Sequence, residues 1–90
     1  VNAFHALVSG EVQGVGFRYS AARKASALGL AGWVRNTDEG DVEVWAEGDA
    51  EALEEFEAWL WQGPSSARVR EVKLSPQQPR GWYASFEIAF

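Results

Sequence analysis

Ninety residues, 47% of them hydrophobic, predict a single domain over residues 1–90, of a size that buries somewhat over ~60% of the surface its unfolded chain exposes. The lack of cysteine excludes disulfides and thiolate zinc, and one histidine, His5, cannot build a transition-metal site by itself. A net charge of −5 and a pI near 4.7 argue against broad nucleic-acid binding, and with no ~18-residue apolar run or opening signal peptide the expectation is a cytoplasmic protein that meets no membrane.

Phe4, Ala6, Val8 and Val12 fall on alternate positions and predict a half-buried first strand. Directly after it comes Gly10-Glu11-Val12-Gln13-Gly14-Val15-Gly16-Phe17-Arg18, with three glycines in seven positions. A turn so rich in glycine lets backbone N–H groups converge on one point. A helix starting beyond it adds unpaired N–H groups and a positive dipole end. Arg18 adds a planar fork that suits two oxygens at once. The stretch reads as an anion cradle, with a phosphoryl group as its natural occupant. It lies in the basic third of the chain, residues 1–37, which hold four bases against one acid.

Helical spacing follows from Arg18 to Leu28, with Ala21, Ala22, Ala25 and Leu28 on one side and Gly29 as the stop. Trp33 to Thr37 predicts a second strand, Asp38-Glu39-Gly40-Asp41 a hairpin turn, and Val42, Val44 and Ala46 the inner side of a third strand. Asp49 stands as N-cap of a second helix whose Leu53, Phe56 and Leu60 share a face and which Gly63-Pro64 ends. A fourth strand, Val69 to Leu74, is irregular enough to suggest a bulge. Past a turn region from Pro76 to Pro79, the alternation of Trp82, Ala84, Phe86, Ile88 and Phe90 predicts a fifth. The order is βαββαβ with an added C-terminal strand: an α+β, ferredoxin-like sandwich with two helices on one face of a mainly antiparallel sheet.

Other features have plainer readings. The ten acids of residues 38–57, unopposed by any base, read as solvated faces of a hairpin and a helix. No EF-hand-like ligand loop appears among them. His5 reads as a strand residue. The five tryptophans read as core or surface apolar packing, with Leu60 claiming the inner face of its helix and leaving Trp59 or Trp61 outside.

The cradle is neither a dinucleotide loop nor a P-loop, since it lacks both G-x-G-x-x-G and Gly-Lys-Ser/Thr. It resembles the signature of the acylphosphatase family, Gly-x-Val-Gln-Gly-Val-x-Phe-Arg, through Gly10, Val12, Gln13, Gly14, Val15, Phe17 and Arg18. Gly32, Trp33, Val34, Asn36, Gly40, Val42 and Gly48 are similar to that family's second signature, with Glu39-Gly40 where Asp-Gly is usual. The resemblance implies hydrolysis of the carboxyl–phosphate bond of small acyl phosphates, with no metal and no cofactor. Arg18 would hold the phosphoryl oxygens and Asn36 would orient the attacking water. The N–H groups of Gln13, Gly14, Val15, Gly16, Phe17 and Arg18 would line the cradle, with Thr37 supporting Asn36. A small-molecule substrate and a monomer are expected. An RRM-type nucleic-acid module shares the element order, but Gly14-Val15-Gly16-Phe17 precedes the first helix and lacks the basic and aromatic residues of that motif. A non-catalytic phosphate-binding domain is the other rival, and phosphate release from an acyl phosphate separates the three.

Overall fold

The computed structural model describes all 90 residues as β1 (Asn2–Glu11), α1 (Phe17–Ala27), β2 (Ala31–Asn36), β3 (Val42–Gly48), α2 (Ala50–Gln62), β4 (Arg68–Gln77) and β5 (Phe86–Ile88). The five strands form one sheet in the order β4-β1-β3-β2-β5. Three of its pairs are antiparallel, and β5 joins β2 in parallel. The ferredoxin-like α+β fold with both helices on one face is therefore observed, on a mixed sheet.

Period-2 alternation decides which face is which. Phe4, Ala6 and Val8 of β1, Val34 of β2, and Val42, Val44 and Ala46 of β3 are buried beneath the helices. Phe17, Ala21 and Ala25, spaced by four, are the buried stripe of α1, and Leu53, Phe56 and Leu60 are that of α2. Phe56 carries the middle of this core, edge-on to Phe86 at 5.6 Å between ring centres and stacked on Phe4 at 6.2 Å. Trp59 packs against the core beside Phe17 while Trp61 is exposed.

Four expectations change. The fifth strand is three residues long, because Trp82 to Ala84 runs beside Trp33 without pairing and Ser85 makes the first bond to β2, accepting from Gly32 N–H at 3.1 Å. Trp82 is 74% exposed. The fourth strand runs on through Pro76, which sits opposite Phe4. An edge strand tolerates proline because one side of its ladder is unused. Its bulge is present, with Ser9 opposite Glu71 but Gly10 opposite Val69, so that Arg70 is the extra residue. Asp49 holds the N-cap position of α2 but makes no side-chain capping bond.

The fourth change concerns the acids. Glu47 is 5% exposed on the outer face of β3 and accepts bonds from the Trp45 indole (2.8 Å), Arg80 N–H (2.7 Å) and Gly81 N–H (3.1 Å). Arg80 in turn lies 4.0 Å over the Trp45 ring and 5.0 Å from that of Trp82. Glu43 is held between Arg35 and His5, the latter at 2.7 Å. Two of the ten acids therefore pin structure instead of facing water.

Candidate active site

β1 and β2 both run antiparallel to β3, so they point the same way and their C-terminal ends emerge at one edge of the sheet. The glycine loop leaves β1 there and Asn36 closes β2 there. Sequence separation of the two is thereby cancelled by topology.

Between them lies a hollow of about 120 Å³ walled by Val12, Gly14, Gly16, Phe17, Arg18, Tyr19 and Asn36. At about 30 Å³ per water in the liquid, that is room for a phosphoryl group and little more. Gly14 and Gly16 have φ of 76° and 78°, the left-handed region that a side chain disfavours. Gly16 also occupies the N-cap of α1 and offers no side chain to cap it. The N–H groups from Gln13 to Tyr19 have no acceptor within the protein, and Ser20 is the first to close a helical bond, on Gly16 O at 3.1 Å. The hollow thus has a concentration of free donors at a positive dipole end.

Arg18 has no carboxylate partner, for the ion pairs of the chain are His5–Glu43, Lys24–Glu55 and Arg35–Glu43. Its guanidinium lies 5.1 Å from the Phe90 ring, a contact that leaves its in-plane donors free. Opposite in character is Asn36. Its Oδ1 is buried and has no hydrogen-bond donor in the protein. A buried amide oxygen without a donor is costly, and such atoms are uncommon in native structures.

The loop is tied down on three sides. Phe17 is fully buried and anchors the start of α1 in the core. Ser66 Oγ donates to Val15 O at 2.9 Å. Gln13 Nε2 donates to Thr37 O and to Asp41 O, both at 2.8 Å. Of the residues expected from sequence, Gly14, Gly16, Phe17, Arg18 and Asn36 meet around the hollow, whereas Gln13 and Val15 flank it and use side chain or carbonyl to hold it. Thr37 supports the turn and not the Asn36 amide, since its hydroxyl engages the Asp41 N–H at 3.1 Å. Val12 and Tyr19 join the wall without having been anticipated, although their places beside Gln13 and Arg18 were a usable signal. Ser66 carried no such signal, lying 51 residues from its partner.

A larger hollow, about 420 Å³, lies by Trp33, Trp82 and Tyr83. Neither the N–H groups of the glycine loop nor Arg18 lines it.

The chain matches the model of the acylphosphatase family over residues 4–88. An acylphosphatase of Methylococcus capsulatus is 50% identical over 84 residues, which cover 93% of this chain and 91% of the relative. The crystal structure of acylphosphatase from Bacillus subtilis matches with a TM-score of 0.96 at 34% identity, covering 100% of both chains. That of T. kodakarensis HypF matches with a TM-score of 0.85 at 32% identity, covering 100% of this chain but 12% of the other.

Proposed function

This chain belongs to the acylphosphatase family, whose members are hydrolases of acyl phosphates, and we propose that it acts by direct attack of water on a phosphoryl group seated in the hollow between Arg18 and Asn36. The observation that carries this reading is the pairing across that hollow. Free donors and an acid-free arginine stand on one side, and a buried acceptor without a donor stands on the other.

In this reading the guanidinium of Arg18 and the N–H groups of Gln13 to Arg18 hold the phosphoryl oxygens, including the charge that accumulates on them. Asn36 Oδ1 accepts a proton of the attacking water in a hydrogen bond and so aims an oxygen lone pair at phosphorus. The new P–O bond forms as the bond to the acyl oxygen breaks, and the carboxylate leaves with the electron pair. One water proton stays on the attacking oxygen and the other passes to a phosphoryl oxygen, giving dihydrogen phosphate. Because the leaving group is a stabilised carboxylate, positioning and electrostatics suffice and no strong base is required. A neutral amide at Asn36 fits that requirement.

The same reading has the enzyme working as a cytoplasmic monomer on a small soluble substrate, without metal or cofactor, nucleic acid or membrane. No helix is long and apolar enough to cross a membrane, and no three His, Asp or Glu side chains gather as metal ligands. The test is release of inorganic phosphate from acetyl phosphate and benzoyl phosphate before and after prolonged EDTA treatment. Turnover should be unchanged by the chelator. Loss with EDTA and recovery with Mg²⁺ or Zn²⁺ would overturn the mechanism.

A further inference from the structure

The side chain of Gln13 does not enter the hollow. Its Nε2 spends both hydrogens, at 2.8 Å each, on the carbonyls of Thr37 and Asp41. These carbonyls belong to the turn that begins where Asn36 ends. That turn is closed on itself: Thr37 N–H donates to Asp41 O at 2.9 Å, Asp41 N–H to Thr37 Oγ1 at 3.1 Å and Gly40 N–H to Thr37 O at 3.2 Å. It therefore moves as a unit with the end of β2.

No other side-chain hydrogen bond joins the Gln13–Arg18 segment to residues 36–41; the second side-chain tie of the loop, from Ser66, comes from the opposite side. A single nitrogen bonded to two acceptors four residues apart fixes both separation and angle between the pieces it joins. One piece carries the phosphate donors and the other carries Asn36. A misplacement of ~1 Å between groups that hold a nucleophile and an electrophile can cost ~10²-fold in rate.

Resting on the role of Asn36 set out above, we infer that Gln13 is a positioning residue whose amide fork holds Asn36 in register with the phosphate cradle. It touches neither substrate nor water through its side chain. Its contribution is to the rate constant and passes through Asn36.

Gln13→Leu keeps much of the bulk and removes both donors; Gln13→Glu keeps the length and sets a carboxylate against the two carbonyls. With benzoyl phosphate as probe, each should lower kcat roughly 10-fold while KM and the inhibition constant of inorganic phosphate stay within about 2-fold. Thermal unfolding of each shows that the assayed chain is folded, and either variant suffices if the other does not fold. The decisive arm is a double-mutant cycle with Asn36→Ala, in which the Gln13 substitution should cost less than ~2-fold because the residue it positions is gone. Fully additive losses in the cycle, with Asn36→Ala itself severely impaired, would overturn the brace and leave the role of Asn36 intact. A weakened phosphate affinity with unchanged kcat would overturn it too, by making Gln13 part of the cradle alone. An Asn36→Ala enzyme of nearly wild-type rate would overturn both, since the residue to be positioned would then have no role.

Discussion

At the scale of single residues, the proposed site divides its labour between a charge and a dipole. Arg18 is charged, forked and free of acids. Lysine in its place offers one compact ammonium that cannot span two phosphoryl oxygens. Arg18→Lys should therefore lower the rate by at least ~10²-fold, with nearly unchanged thermal unfolding, since no ion pair is lost. A variant within a few-fold of the parent on an acyl phosphate would remove Arg18 from the mechanism. Asn36 should fail differently. Asn36→Ala should collapse kcat while phosphate still inhibits competitively, whereas Arg18→Ala should weaken phosphate inhibition and the rate together. Equal losses of phosphate affinity in the two would make Asn36 a phosphate ligand. Arg18 was singled out in the sequence as the fork at the end of a glycine-rich turn, whereas Asn36 was singled out only by the resemblance to the family's second signature. The tie made by Gln13 was not legible. Its acceptors are main-chain carbonyls 24 and 28 residues away, and a carbonyl is common to every residue.

The elements show where local pattern and neighbours agree and where they part. α2 follows its periodicity because it buries one face against the core, whereas β3 buries Val42, Val44 and Ala46 there and also has Trp45 and Glu47 covered on the outer face. The alternation from Trp82 to Phe90 also matched a strand, but of its apolar positions only Phe86 is buried, while Trp82, Ala84 and Phe90 are exposed. Phe86–Ile88 pairs with β2, bracketed by main-chain bonds from Gly32 N–H to Ser85 O and from Ala89 N–H to Val34 O. Gly32 in β2 illustrates a constraint visible only between elements. A Cβ there would stand 1.9 Å from Trp45 O, a main-chain atom of β3 that cannot swing away, and φ is +139°. The glycine that opens the second family signature thus serves strand pairing. Gly32→Ala should destabilise by about 2–3 kcal/mol, which for a domain of this size lowers Tm by more than ~10 °C, with kcat preserved below the transition. An unchanged Tm would show that the β2–β3 approach is looser than this geometry requires.

For the whole molecule, the sheet's outer face is the part that acid should attack first. Burial by itself pushes the Glu47 carboxyl up, but the Arg80 N–H, the Trp45 indole, the Gly81 N–H and the Arg80 charge together pull it below its usual value of 4.5. Glu43 is also lowered, with burial opposed by the hydrogen bonds of His5 and Arg35 and by their charges. A carboxyl lowered by folding contributes stability that is fully present above its unfolded value, about 4.3–4.5, and is lost as pH falls through the folded value. Stability should thus decline with acid below about pH 4.5, in step with release of residues 80–81 from β3. Glu47→Gln, which loses the charge and turns one acceptor into a donor, should lower stability by about 1–3 kcal/mol at pH 7 and flatten part of the acid decline. Urea unfolding at pH 7 and pH 4 measures both, and a parent-like acid profile in Glu47→Gln would show that the pinned segment contributes nothing. Sequence by itself determined the element order, the inner faces of β1, β3 and both helices, and the glycine loop ahead of α1, because periodicity and glycine placement act over a few residues along one chain. Tertiary structure alone decided that β5 is short and parallel, that Glu47 is buried and that Gln13 spans from cradle to turn. Each of these depends on which distant segment supplies a donor, an acceptor or a covering side chain, and strand order in the sheet settles that.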